Sequence, residues 1–151
     1  IDPTGKQLVA RTAIDSGADL ILGHGPHILN GIEIYKGKPI LYSLGHFFLH
    51  LPLPAYDLFP DIQKVVQGVY ASDRFSESVL VRTILGPTGQ IRRLELLPVE
   101  LSKEGDPYFA SGEMTDKIFD RFSSLSEPLG TKISKESWYL VVELPESESN
   151  R

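Results

Sequence analysis

The short apolar run Leu20-Ile21-Leu22 constrains the fold more than any other stretch, because residues that stop regular structure close it in on both sides. Upstream, Asp2 suits an N-cap and Pro3 the first helical position, and Leu8, Val9, Ala13 and Ile14 are spaced to cover one helix face before Gly17 ends the pattern. Downstream, Gly23-His24-Gly25-Pro26-His27 forms a turn stiffened by glycine and proline. A run this short between a helix stop and a turn reads as a buried strand following a helix, the start of an α/β unit. Next, Gly31-Ile32-Glu33-Ile34-Tyr35 and Pro39-Ile40-Leu41-Tyr42-Ser43 flank Lys36-Gly37-Lys38, where the glycine suits a tight hairpin connection. Two antiparallel strands are expected there.

From Phe47 to Ser76 the pattern weakens, with Pro52, Pro54 and Pro60 interrupting apolar residues, and only Asp61 to Tyr70 has the composition for a short helix. A long loop is expected, either a packed surface segment or a lid. Ser78 to Leu85 and Gln90 to Leu101 are rich in Val, Ile and Leu and are joined by Gly86-Pro87-Thr88-Gly89, a second hairpin. Ser111 is placed to cap a helix from about Gly112 to Leu125, with Ile118, Phe122 and Leu125 on one face, until Pro128 and Gly130 stop it. Trp138 to Val142 reads as a final strand and Pro145 to Arg151 as a polar tail.

With 151 residues and 41% apolar composition the chain fits one domain with a full core, and it shows no internal repeat. It lacks cysteine, which removes thiolate metal sites, disulfides and cysteine nucleophiles and leaves His, Asp, Glu or Asn to hold any metal. A net charge of -5 argues against a nucleic-acid partner, and the basic pair Arg92-Arg93 reads as a solvated strand edge. No window approaches the roughly 18 apolar residues of a membrane span, and the first residues do not resemble a signal peptide. Because the sequence starts at Ile1 and its one methionine is Met114, it reads as a piece of a longer chain.

Neutral imidazole is the commonest metal ligand, and His24 and His27 stand three residues apart in a stiff turn, with His46 at the end of another apolar segment. Two histidines rarely complete a catalytic coordination sphere, so His46 and Glu33 are the candidates to join them. The alternative is a turn of ordinary polar side chains, and His46 and His50 singly read as loop or core-edge residues. A serine nucleophile would use Ser43 with a histidine and Asp19, yet Leu41 stands where a nucleophile elbow needs glycine. Glu33, Glu95 and Glu100 alternate with apolar neighbours as solvent-facing strand positions do, which argues against paired catalytic carboxylates. Tyr35, Tyr42 and Trp138 read as core or cross-strand aromatics.

The segment from Ile14 through Gly23-His24-Gly25-Pro26-His27 and on to Tyr42-Ser43-Leu44-Gly45 closely resembles the bacterial capsule-synthesis family of CapA type, the poly-γ-glutamate biosynthesis proteins. Pro98-Val99, Ala110-Ser111-Gly112-Glu113, Leu125-Ser126 and Gly130-Thr131 resemble that family's tail, so nearly the whole chain is covered. The resemblance implies a calcineurin-like metallophosphatase fold, of which residues 1–151 would form the C-terminal half of a four-layer α/β/β/α sandwich. It implies divalent metal ions, with Mn, Fe or Zn as candidates, His24 and His27 as the last histidine ligands and His46 beside them. Where the family reads Y-S-L-G-N-F, this chain has His46, which either adds a ligand or changes a hydrogen bond around the ligands. The family's earlier motifs, carrying an aspartate, an asparagine and another histidine, would lie upstream of Ile1. The implied function is metal-dependent hydrolysis in capsule or poly-γ-glutamate biosynthesis, on an anionic polymer or a small substrate. The alternative is a non-catalytic module that binds or helps export the polymer on the same fold. The resemblance also suggests the cell envelope or an extracytoplasmic location. Half a sandwich leaves an apolar face open, so the expected partner is the missing N-terminal half or a second copy of the chain.

Overall fold

The computed structural model describes residues 3–48, 73–102 and 104–145. Asp2, His50, the stretch read as a short helix over 61–70, most of the long loop and the tail from 146 onward lie outside the described residues. The first helix, α1 (Pro3–Asp15), stops where expected: Ala18 N–H donates to the Ala13 carbonyl and Gly17 N–H to that of Ile14, both at 3.0 Å. This paired closure is the Schellman end that a glycine at this position favours.

Three short strands follow: β1 (Ile21–Leu22), β2 (Ile32–Tyr35) and β3 (Lys38–Leu41). They form a sheet in the order β1-β3-β2, with β1 parallel to β3 and β2 antiparallel to it. The hairpin turns on Lys36 and Gly37, both at positive φ (51° and 77°), as a tight two-residue connection demands. The run at Leu20 to Leu22 is therefore a strand, but a sheet edge rather than a buried one, and Leu22 is 46% exposed. Its outer flank carries no neighbour strand among the described residues.

Helix α1 covers one face of this sheet through Ala10 and Ile14, which pack on Ile40 with Ala18, Ile21, Tyr35 and Tyr42 around them. Leu8 and Val9 do not join this contact and stand 68% and 71% exposed, contrary to the face expected from apolar spacing. Polar bonding settles the rotation of the helix. Arg11, on the same side as Ala10 and Ile14, reaches the buried Glu33 carboxylate on β2, which also accepts a hydrogen bond from the Tyr42 hydroxyl. A buried carboxylate is tolerable only when so paired, and that requirement outweighs the exposure of two aliphatic side chains.

The second sheet holds β4 (Glu77–Leu85), β5 (Ile91–Leu101), β6 (Pro107–Phe109), β7 (Ile133–Glu136) and β8 (Tyr139–Val142). The order is β4-β5-β8-β7, all antiparallel, with β6 added to the end of β5. The hairpin of β4 and β5 closes at Gly86 to Gly89 as expected. Strands β6 and β7 are additions to the sequence reading. β8 begins at Tyr139, because Ser137 (φ 58°) and Trp138 form the turn from β7.

Helix α2 (Glu113–Ser126) buries Thr115, Ile118, Phe122 and Ser126, and the larger core joins Ile118 and Phe122 to Leu94, Leu96, Leu140 and Val142 of the second sheet and to Ile32 and Leu41 of the first. Its N-cap is Gly112, without a side-chain cap, so Ser111 does not fill that role. Leu125 is 38% exposed, and the buried position is Ser126, whose hydroxyl accepts from the Ile32 N–H at 3.0 Å. The helix crosses close to β2, and the need to satisfy that strand's outer amide places Ser126 inward.

Glu33 and Glu95 are buried, 6% and 3% exposed, which corrects their reading as solvent-facing strand positions. Their alternation with apolar residues is real, but arginines cover the face they occupy. Glu95 accepts from Arg82 directly across on β4 and from Arg93 two residues before it, and Arg93 also reaches Glu136. Arg93 is thus a bridging residue on a central strand rather than part of a solvated edge. Burial pushes the Glu95 carboxyl up, and the bonds from Arg93 and Arg82 outweigh it, leaving its pKa below the ordinary 4.5. A depressed acid pKa stabilises the fold above the unfolded value, and that contribution is lost as pH falls through the lower folded value. In urea melts between pH 7 and pH 3, Glu95→Gln is expected to lose stability less steeply on acidification than wild type. Parallel profiles would refute the ion-pair role.

Candidate functional site

The histidine turn is held by the backbone on both flanks of β3. On one side Gly23 N–H donates to the Leu41 carbonyl at 2.7 Å and Leu44 N–H to that of Gly23 at 3.3 Å. On the other, Asn30 N–H donates to the Ser43 carbonyl at 3.1 Å and Tyr42 N–H to that of Gly31 at 3.2 Å. The loop between Gly23 and Gly31 therefore arches over the end of β3, where the chain runs on to His46. This places the histidines beyond the carboxyl ends of two parallel strands, β1 and β3, where open α/β sheets carry their ligands.

Two glycines permit the close fit. A Cβ on Gly23 would lie 2.6 Å from the Tyr42 carbonyl oxygen, and one on Gly45, which has φ 76°, would lie 2.5 Å from that of Glu77. Gly45 also pairs with Ser78 in an isolated bridge, so the residue before His46 touches the second sheet.

His27 Nδ1 and His46 Nε2 stand 3.0 Å apart, with ring centroids 4.6 Å apart. One ring donates and the other accepts, which fixes opposite tautomeric roles on the two rings. His27 takes φ 67°, in the left-handed region that costs a non-glycine residue about 1 kcal/mol or more and is concentrated at functional sites. His46 is half-buried beside Phe75, and burial followed by the adjacent His27 lowers its pKa, favouring the neutral imidazole. His24 is exposed. Among the described residues no group of three or more His, Cys, Asp or Glu side chains is arranged to hold a metal ion, so His27 and His46 are drawn together and His24 does not complete a cluster with them. Glu33, the other candidate, is committed to Arg11 and Tyr42 on β2.

The serine reading is not assembled. Ser43 is fully buried with its hydroxyl 3.5 Å from the Gly45 N–H, while Asp19 is on the surface, 3.0 Å from Lys38. Tyr35 and Tyr42 are bonded to Asp15 and Glu33, as structural aromatics would be.

A cavity of about 550 Å³ adjoins the turn, lined by Ile28 and Asn30 from the loop and by Arg74, Lys117 and Arg121. Beneath it lies Glu77, fully buried, chelated by Arg121 and 3.9 Å from Lys117. Sequence reasoning missed this wall, in which Asp120 stands among the three cations, because Arg74 and the Lys117/Arg121 pair of α2 lie far from the histidines along the chain and carry no local motif.

The family model described as bacterial capsule synthesis protein PGA_cap matches residues 2–50, a stretch that holds all 4 histidines. PGA biosynthesis protein CapA of Bacillus subtilis is 53% identical over 47 residues, 30% of this chain and 12% of that protein. Residues 2–50 match the CapA-type capsule synthesis family. Similarity to curated proteins reaches past the length of the family model. A probable polyglutamine synthesis accessory protein of Mycobacterium tuberculosis is 33% identical over 100 residues, 66% of this chain and 23% of that protein. An uncharacterized protein of Sinorhizobium fredii is 35% identical over 161 residues, 87% of this chain and 35% of that one. The chain thus spans about a third or less of the length of these curated relatives.

Proposed function

We propose that this chain is part of a capsule or poly-γ-glutamate biosynthesis protein in which His27 and His46, with His24 beside them, hold a divalent metal ion for hydrolysis. The observation that carries the reading is the convergence of two imidazoles, 19 residues apart in sequence, to 3.0 Å. Two nitrogens each about 2.1 Å from one ion lie roughly 3–3.4 Å apart, so an ion would take the place of the proton the two rings share, with little movement of either ring. The donor set, neutral imidazole without thiolate, suits Mn, Fe or Zn. A divalent ion bound there supplies Lewis-acid activation of water and of the bond to be cleaved. The loop's backbone clamps hold the turn, and in the adjoining cavity Arg74, Lys117 and Arg121 outnumber Asp120 and the buried Glu77, a balance that would favour an anionic polymer or a small anionic substrate.

In this reading the remaining ligands come from segments of the whole protein that this chain, about a third of the length of the Sinorhizobium fredii relative, does not span. The two sheets with α1 and α2 are then half of a four-layer sandwich, completed by that remainder or by a second copy. No helix of the described residues is long and apolar enough to cross a membrane. The reading places the protein at the cell envelope, where capsule is made.

A non-catalytic polymer-binding module is the second reading, favoured by the lack of a three-ligand group among the described residues. Elemental analysis of the full-length protein and of a His27→Ala/His46→Ala double variant separates the two. Bound metal in wild type and its loss in the variant are expected. Equal metal content would remove the histidines from the site, and retained binding of poly-γ-glutamate by the variant would then support the module.

A further inference from the structure

A second cavity, of about 500 Å³, opens at the start of α2 and shares no lining residue with the histidine loop. Its wall is aromatic on one side. Phe109, at the end of β6, and Trp138, in the turn between β7 and β8, meet edge to face at 5.5 Å and are 56% and 43% exposed. Two large rings left half in water around one concavity form an apolar contact surface open to a ligand. The opposite side is polar. Asp116 and Lys135 form an ion pair at the wall, Ser111 and Ser137 contribute hydroxyls, and Thr115, 2% exposed, holds a hydroxyl without a partner among the described residues.

The charge pattern selects the ligand class. A helix N-terminus without a side-chain cap would ordinarily attract an anion. Here Glu113 and Asp116 already occupy the first turn, against one lysine. A further carboxylate or phosphate would meet net repulsion. A neutral ligand that has one apolar face for the rings and several hydroxyls for a carboxylate, an ammonium and two serines meets none. A pyranose ring has that combination, and the cavity volume falls within the ordinary range for small-molecule sites. We infer that the cleft between Trp138, Phe109 and the first turn of α2 binds a neutral sugar unit, stacked on the indole and hydrogen-bonded by Asp116 and Lys135.

Trp138 lines the cleft, and a Trp138→Phe variant isolates its share of the emission signal. The full-length protein is titrated with maltotetraose, with N-acetylglucosamine oligomers and, as the anionic counter-probe, with tetra-γ-glutamate, following tryptophan emission and saturation-transfer NMR. A saturable response to at least one neutral saccharide is expected, with affinity about tenfold weaker in Asp116→Asn or Phe109→Ala. Both substitutions are at exposed positions, and circular dichroism checks that each variant retains the fold. No saturable response to any neutral saccharide by either method, a response to tetra-γ-glutamate alone, or unchanged saccharide affinity in both variants would each overturn the inference.

Discussion

Phe122→Ala is expected to destabilise the protein by about 3–5 kcal/mol, the largest single-site loss available in the described core. The ring is fully buried, one helical turn after Ile118, and lies where α2 meets both sheets through Leu94, Leu96, Leu140 and Ile32. Truncation there opens a cavity between three elements, none of which can move in without disturbing its other contacts. Leu125→Ala, three residues on, is expected to cost well under half as much, because that side chain is 38% exposed. Urea unfolding of the two variants measures the difference. Similar losses would show that the helix is rotated relative to the face described.

Gly45→Ala is expected to cost about 2–4 kcal/mol and to separate His46 from His27. Alanine at φ 76° carries backbone strain, and its methyl would lie 2.5 Å from the Glu77 carbonyl oxygen and 3.3 Å from the Leu29 side chain. The backbone can relieve that overlap only by lifting residues 45 and 46 off the second sheet, where Gly45 pairs with Ser78. Chemical denaturation gives the stability loss, and the ring-to-ring contact of His27 and His46 in NMR spectra gives the displacement. A variant that keeps both stability and contact would contradict the geometry.

Features whose cause is local were legible in the sequence. The Lys36-Gly37 and Gly86 to Gly89 turns announced their hairpins, and Gly17 announced the end of α1, because each depends on residues next to it. Strands β6 and β7 were not legible, since Pro107-Tyr108-Phe109 and Ile133-Ser134-Lys135-Glu136 become strands only through pairing with β5 and β8. The same holds for the buried carboxylates. Glu95 and Glu33 have surface-like spacing, and only the arrival of Arg82 across the sheet and of Arg11 from α1 makes their burial affordable. At the site, the sequence singled out His24, His27 and His46 together. It could not say that the pair to meet is the one separated by 19 residues, because that is decided by where β3 ends.

The four backbone hydrogen bonds that tie the loop to both flanks of β3 couple two properties usually adjusted apart. Most ligand-bearing loops open locally at small cost, so their motion can be tuned without touching the fold. This one opens by breaking bonds to Leu41, the last residue of β3, and to Tyr42, Ser43 and Leu44 directly after it, so amides at Gly23, Asn30, Tyr42 and Leu44 should exchange with solvent nearly as slowly as the sheet itself. Any adaptation that needs a more mobile histidine pair must therefore give up global stability to obtain it.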